Sequence, residues 1–318
     1  MIVCITGGTG FIGQRLVYKH LQRGDEVRVV SRQKPKDDLS KLSLKWCQAD
    51  LTMDADILER FVDGADVLYH CAAEIRDPSR MHVTNVEATK HLVGFASGRV
   101  GRWVQLSSVG AYGRIRNGIV TEDTELRPLG IYETTKAEAD VLVTEAAHEG
   151  AFELAILRPS NVYGMYMPNQ SLFKLISVVD RGFFFFIGRP GASANYIHVE
   201  NVVNALILCG CHPAAAQNVF NLSDYQPLEI FIKYIAEALG KPIPSLRFPE
   251  SPLRVLAKTS KPLIGTGRIE ATIDALTNRA QYPASKIERE LGYKHSVSMQ
   301  SGITELVKSW KHLKKNNG

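Results

Sequence analysis

The sequence predicts an α/β fold: a doubly wound parallel sheet with a smaller C-terminal substrate-binding lobe. Three observations carry that expectation. Short apolar runs of strand length alternate with helical patterns through the first half of the chain. Gly7, Gly10 and Gly13 follow the first of these runs at the spacing of a strand–turn–helix phosphate loop. Prolines at 242, 244, 249, 252 and 262 then break regular structure in the second half, as a loop-rich covering lobe would.

Taken in order, Ile2 to Ile5 is an apolar run of buried-strand length, and the glycines turn the chain into a helix starting near Phe11. A pyrophosphate reaches a helix N-terminus only where backbone N–H groups point at it and no Cβ intervenes. Gly7 and Gly10 permit that approach, and Gly13 lets the helix lie close on the sheet. Phe11, Ile12, Leu16, Val17 and Leu21 share one helical face, Gly24 supplies the stop, and Glu26 to Val30 is the second strand. Further strands are predicted at Lys45 to Cys47, Val67 to His70, Trp103 to Ser107 and Leu154 to Leu157, with helices near 54–63, 79–98 and 132–149. Beyond a loop from Pro159 to Asn169, helices are predicted over Gln170 to Arg181, Val199 to Leu208 and Pro227 to Leu239, the last stopped by Gly240. Phe183 to Ile187 reads as a strand or pocket wall. The expected division is a dinucleotide-binding domain over 1–165 that also receives 195–225, a substrate lobe from 166–194 and 226–310, and a frayed tail at 311–318.

The 45% hydrophobic and 22% charged content is that of a globular chain rather than a disordered one. A net charge of +5, dispersed except at Lys308 to Lys315, argues against nucleic acid as a partner and suits small anionic ligands. No apolar run has the length of a membrane span, and Met1 leads directly into the first strand, so no transmembrane segment is expected and the expected compartment is the cytoplasm. The cysteines at 4, 47, 71, 209 and 211 form no CxxC pair, and Cys209, Cys211 and His212 read as a helix end, so no metal site is expected.

The chemistry lies further along. Tyr132 and Lys136 are four apart in a helix-forming segment and so share a face. An ammonium beside a phenol favours the phenolate, which would let Tyr132 take a proton from a substrate hydroxyl near neutral pH. Ser107 and Ser108 close the strand that begins at Trp103, at the strand end where doubly wound sheets bind ligands.

With these motifs in this order, the chain resembles the extended short-chain dehydrogenase/reductase superfamily, in particular the sugar-modifying NAD-dependent epimerase/dehydratase family. The resemblance spans nearly the whole chain through TGGTGFIG (6–13), Asp50-Leu51, HCAA (70–73), Asn85, SSVGAYG (107–113), YETTK (132–136), RPSNVYG (158–164) and YIHVENV (196–202). It implies a Rossmann domain and a catalytic Ser108, with Ser107 as the alternative serine beside the cofactor. It also implies Tyr132 as acid/base, and Lys136 lowering its pKa and holding the nicotinamide ribose. The glycine turn with Phe11 and Ile12 would hold the pyrophosphate, Asp50 and Leu51 the adenine, and Ala72 and Ala73 the pyrophosphate and ribose. Asn85 would lie near the cofactor, Pro159 to Val162 around the nicotinamide, and Asn161, Tyr196 and Arg279 on the substrate side. His70 is left out of the chemistry as a packing residue.

Two departures from the family's pattern bear on specificity. The acidic residue that NAD-using relatives carry after the second strand is replaced by Ser31, followed by Arg32 and Lys34. Loss of the carboxylate removes repulsion of a 2′-phosphate and a guanidinium can pair with it, so NADP is preferred to NAD. Relatives acting on nucleotide sugars often carry an arginine where this chain has Ala194, which leaves Arg189 and Arg279 as candidates for a diphosphate. The resemblance therefore implies hydride transfer at a ring carbon of a nucleotide- or lipid-diphosphate sugar, of the kind used for surface polysaccharides, by epimerisation or net redox. A dehydratase is disfavoured, since Val109 and Gly110 stand where an Asp-Glu pair would be needed. The other readings are an NADPH-dependent reductase of apolar hydroxy or carbonyl compounds, similar to 3β-hydroxysteroid dehydrogenases and dihydroflavonol reductases, and a non-catalytic dinucleotide sensor. The family also implies a homodimer, and an apolar face at 252–265 is a candidate for peripheral membrane contact.

Overall fold

The computed structural model describes residues 1–33, 43–259 and 267–316. Seven parallel strands form the central sheet: β1 (Ile2–Thr6), β2 (Glu26–Ser31), β3 (Lys45–Gln48), β4 (Ala65–His70), β5 (Val100–Leu106), β6 (Glu153–Pro159) and β7 (Asn218–Leu222). Their spatial order is β7-β6-β5-β4-β1-β2-β3. The chain winds outward in one direction as far as β3 and in the other from β4, so the strand order reverses between β1 and β4. The crevice of an open α/β sheet lies at the carboxyl ends of the strands at such a reversal.

One face of the sheet is covered by α1 (Gly13–Gln22) and by the helix Val199–Cys211, whose Leu16, Val17, Val202 and Leu206 join Ile5, Val29 and Val104 in one core. The other face carries α2 (Ala55–Val62), α3 (Ala88–Ala96) and α4 (Ile131–His148), packed through Phe61, Leu92 and Val143 around Trp103. A separate core joins the helices Ser171–Asp180, Leu228–Leu239 and Met299–Asn316 through Ile176, Phe231 and Ile303.

Several local expectations are corrected. The first helix begins at Gly13, because the chain from Gly7 to Ile12 is spent on the turn, where Gly10 donates to the Gly7 carbonyl at 2.9 Å. The helix read over 79–98 is interrupted by a π-helical turn at Val83–Glu87 between Pro78–His82 and α3, centred on Asn85, whose side chain bonds outside its own helix. The proline-rich lobe holds more helix than its prolines suggest. Glu250–Thr259 is helical with Pro252 in its first turn, where no intrahelical N–H is lost, and Gly267–Thr277 is a second helix. Of Phe183 to Ile187 only Phe186–Ile187 is strand, and Phe183 is exposed. The last helix continues six residues past Trp310, to Asn316, where a frayed tail was expected. Lys34 and residues 260–265 of the proposed membrane-facing segment lie outside the described residues. No described helix is long and apolar enough to cross a membrane.

Candidate active site

A cleft of about 790 Å³ opens at the carboxyl ends of β1, β2 and β4. Gly7 and Gly10 form its floor, Ser31, Arg32, Asp50 and Leu51 line one end, and Cys71, Ala72 and Ala73 line the other. Gly7 holds φ +65°, and a Cβ there would stand 2.7 Å from the Ala72 nitrogen; a Cβ on Gly10 would meet only the Gly7 carbonyl, at 3.1 Å. A Cβ on Gly13 would be driven into the Gly7 carbonyl, so the helix start and the turn touch backbone to backbone. The turn is thus a cradle open on the cleft side, and it fits a dinucleotide pyrophosphate on the sheet's own reversal point.

At the Ser31 end of the cleft, Asp50 is tied down by Thr52, whose backbone N–H and hydroxyl both donate to Oδ1, at 2.9 and 2.7 Å. Those bonds hold the Asp50 carboxyl below its ordinary range. Arg80, Ser79 and Thr84 also line the cleft, from the helix after β4. The sequence carried no signal for them, because nothing in a surface arginine announces which cleft it will border.

Ser108, the residue after the end of β5 and Ser107, lies near enough to the Tyr132 phenol to favour its ionised form. Ser108 caps the following turn by accepting from the Gly110 N–H at 3.1 Å. Lys136, 3% exposed, donates to the Leu106 carbonyl at 2.5 Å. The structure therefore gathers Ser108, Tyr132 and Lys136 around the end of β5. The phenol's charge state is another matter: burial pushes Tyr132 up to about 12, the Glu133 and Asp140 carboxylates add to the rise, and Ser108 opposes it. Desolvation of the phenolate is the largest of these influences, and the Lys136 ammonium one turn away is engaged with the Leu106 carbonyl.

The remaining residues divide. Ser107 turns inward and donates to Asp140 at 2.8 Å. Asn85 spends its side chain on the backbone of Glu74 and on Thr135, and Pro159 is buried in β6. Phe11 packs toward the lobe core, Ile12 and Val162 toward the sheet core, and none of these borders the cleft. Asn161 donates to the Asn195 carbonyl at 3.1 Å, and Tyr196 stacks on Phe231 with ring centroids 4.7 Å apart. The Arg279 guanidinium is spent on the carbonyls of Pro190 and Arg189, at 2.9 and 2.7 Å, and Ala194 is buried in the lobe core. His70 bridges Thr6 and Thr89 at 2.8 and 2.9 Å while 1% exposed, a packing residue at the base of the site. Among the described residues no group of His, Cys, Asp or Glu is placed to hold a metal ion.

The sequence model of the NAD dependent epimerase/dehydratase family matches residues 3–223. The chain belongs to this family. As a member of the NAD dependent epimerase/dehydratase family it is an enzyme of the extended short-chain dehydrogenase/reductase type. It is 28% identical over 334 residues to a 3β-hydroxysteroid dehydrogenase/Δ5→4-isomerase of Mycobacterium tuberculosis, covering 96% of this chain and 89% of that one. It is 26% identical over 332 residues to a UDP-glucose 4-epimerase of Vibrio cholerae, covering 99% and 96%. A UDP-glucuronic acid 4-epimerase from Bacillus cereus, solved in complex with NAD, superposes with a TM-score of 0.76 over 98% of this chain and 99% of that one; at 18% identity it shares the fold.

Proposed function

We propose that this family member oxidises or reduces a ring carbon of a diphosphate-linked sugar, as an epimerase or a net dehydrogenase, with Tyr132 moving the hydroxyl proton. The observation that supports the reading is the convergence of Ser108, Tyr132 and Lys136 at the end of β5, one strand over from the β4 end whose Cys71, Ala72 and Ala73 line the cleft. A nicotinamide dinucleotide supplies hydride acceptance and return when bound. The chain's residues do the rest. Gly7 and Gly10 present backbone to the pyrophosphate, Asp50 and Leu51 border the adenosine, and Lys136 holds the nicotinamide-side ribose. Ser108 fixes the reacting oxygen, and Tyr132 takes or gives its proton. Asn161, two residues past the end of β6, is exposed and its amide oxygen is the group it has left for a sugar hydroxyl, since its amide N–H donates to the Asn195 carbonyl.

NADP is the preferred cofactor in this proposal. Arg32 and Arg80 both line the cleft with Ser31, so two guanidiniums border the end that would meet a 2′-phosphate and the carboxyl end of the second strand presents no carboxylate there. A homodimer belongs to the same proposal and is tested by light scattering.

A second reading, reduction or oxidation of an apolar hydroxy or carbonyl compound, is favoured by one specific observation. Arg279 is committed to backbone carbonyls and Ala194 is buried, so neither position offers a cation to a diphosphate. Mass spectrometry of ligands retained by the purified protein separates the two: a nucleotide or lipid diphosphate sugar supports the first, and an apolar carbonyl compound the second. Turnover that survives Tyr132→Phe would sink both.

A further inference from the structure

Neither Ala194 nor Arg279 offers a cation to a diphosphate, yet other guanidiniums gather beside them. The chain leaves Ser108 through the turn Val109–Tyr112 and reaches Arg114 and Arg116 just before the strand Asn117–Ile119. That strand pairs with Arg279–Gln281, and the Arg279 N–H donates to the Arg116 carbonyl at 2.8 Å. The segment at 278–281 lies in turn beside Ser193–His198: the Ser193 N–H donates to the Asn278 carbonyl at 2.6 Å, and the Asn195 amide to the Ala280 carbonyl at 2.8 Å. Hydrogen bonds therefore tie the arginine-bearing segment after Ser108 to Asn195, whose carbonyl accepts from Asn161.

One carboxylate holds these guanidiniums together. Asp274, on the helix Gly267–Thr277, meets Arg254 at 2.9 Å and Arg116 at 3.1 Å through Oδ1, and Arg116 at 3.2 Å and Arg114 at 3.5 Å through Oδ2. Three guanidiniums thus converge on a single negative charge. Glu250 pairs with Arg254 at 2.6 Å, but among the described residues Arg114 and Arg116 have no carboxylate other than Asp274. Arg189, whose carbonyl accepts from Arg279, is exposed, and its guanidinium has no hydrogen bond or ion pair among the described residues. Arg114 and Arg116 are 63% and 51% exposed, so an anion from solution can reach them. A diphosphate presents more oxygens and more charge than a carboxylate, in a shape that several guanidinium forks grip at once.

We propose that Arg114, Arg116 and Arg254 form the site for the substrate's diphosphate, and that Asp274 is the internal anion it displaces from the two loop arginines. The assignment rests on the reading of the substrate as a diphosphate-linked sugar, and it names the residues that recognise the carrier. A nucleoside diphosphate and a lipid diphosphate share this chemistry. Because the helix that bears Arg254 also exposes Val255 and Leu256, both carriers are tested.

Binding is measured by calorimetry on the full chain saturated with its tighter-binding nicotinamide dinucleotide, so that the cofactor cleft is filled. UDP and farnesyl diphosphate are the probes, and uridine and farnesol their uncharged controls. At least one diphosphate binds about tenfold tighter than its control or better; UDP alone marks a nucleotide carrier, farnesyl diphosphate alone a lipid one, and both together a site that reads the diphosphate itself. Arg114→Ala/Arg116→Ala weakens that diphosphate about tenfold and leaves its control unchanged. Asp274→Asn tightens it about threefold, because the competing carboxylate is gone. A merely structural Asp274 predicts the opposite sign, since a loosened helix draws Arg254 away. Diphosphates no tighter than their controls, an unchanged double variant, or an affinity unchanged or lowered in Asp274→Asn overturns the proposal. Should Asp274→Asn fail to fold, the double variant, altered only at exposed side chains, decides alone. Activity surviving in Tyr132→Phe defeats the acid/base reading and leaves a diphosphate site standing, whereas a retained diphosphate sugar with an unchanged double variant defeats only the role given to these arginines.

Discussion

The indole N–H of Trp46 on β3 donates to the Ser31 hydroxyl on β2 at 2.9 Å, and that hydroxyl donates onward to the Gln33 carbonyl at 2.7 Å. Ser31 is therefore held in place by its own neighbours, while Arg32 and Arg80 line the same cleft.

Replacing Arg32 with Asp should move cofactor preference from NADP toward NAD by about ten- to a hundredfold, the value of one charged hydrogen bond lost and one repulsion gained. Dissociation constants for both dinucleotides, measured by tryptophan fluorescence, decide it; an unchanged ratio discredits the role of Arg32.

Gly7→Ala should weaken dinucleotide binding and lower stability together. The backbone stands at φ +65°, which costs a side-chain-bearing residue about 1–2 kcal/mol, and the new methyl would press on the Ala72 nitrogen. Thermal unfolding with and without cofactor reads both effects. A variant with wild-type melting and binding would mean that the turn does not depend on glycine there.

Removing the Tyr132 hydroxyl should cost about a hundred- to ten-thousandfold in kcat with little change in KM, the usual share of a general acid or base. Because burial holds the phenol up at about 12, oxidation by the wild-type enzyme should quicken as pH rises through the neutral range. A flat profile there would show that some other group takes the proton.

His70 is buried neutral, its pKa pushed down to about 3 by burial with the Lys136 charge adding. Its folded pKa lies below the unfolded value near 6.5, so its contribution is complete above about pH 6.5. It is lost as pH falls toward 3, with a limiting slope of about 1.4 kcal/mol per pH unit. Urea unfolding between pH 7 and pH 4 should show that loss, and His70→Gln should flatten it; equal slopes in both proteins would assign the acid sensitivity elsewhere.

The sequence by itself determined the sheet, the glycine turn and the Tyr132–Lys136 spacing. Those are local matters: strand-length apolar runs, φ values only glycine tolerates, and a four-residue repeat on one helix face. The break at Val83–Glu87 was not legible, because Asn85 leaves the helical pattern to bond Glu74 and Thr135, the latter fifty positions away. Nor was the inward turn of Ser107 or the commitment of Arg279 to the 189–190 carbonyls. Hydrogen-bond partners brought together by folding leave no periodic trace in the chain, and the charge state of Tyr132 depends on how deeply other elements bury it. Only the tertiary structure decided those.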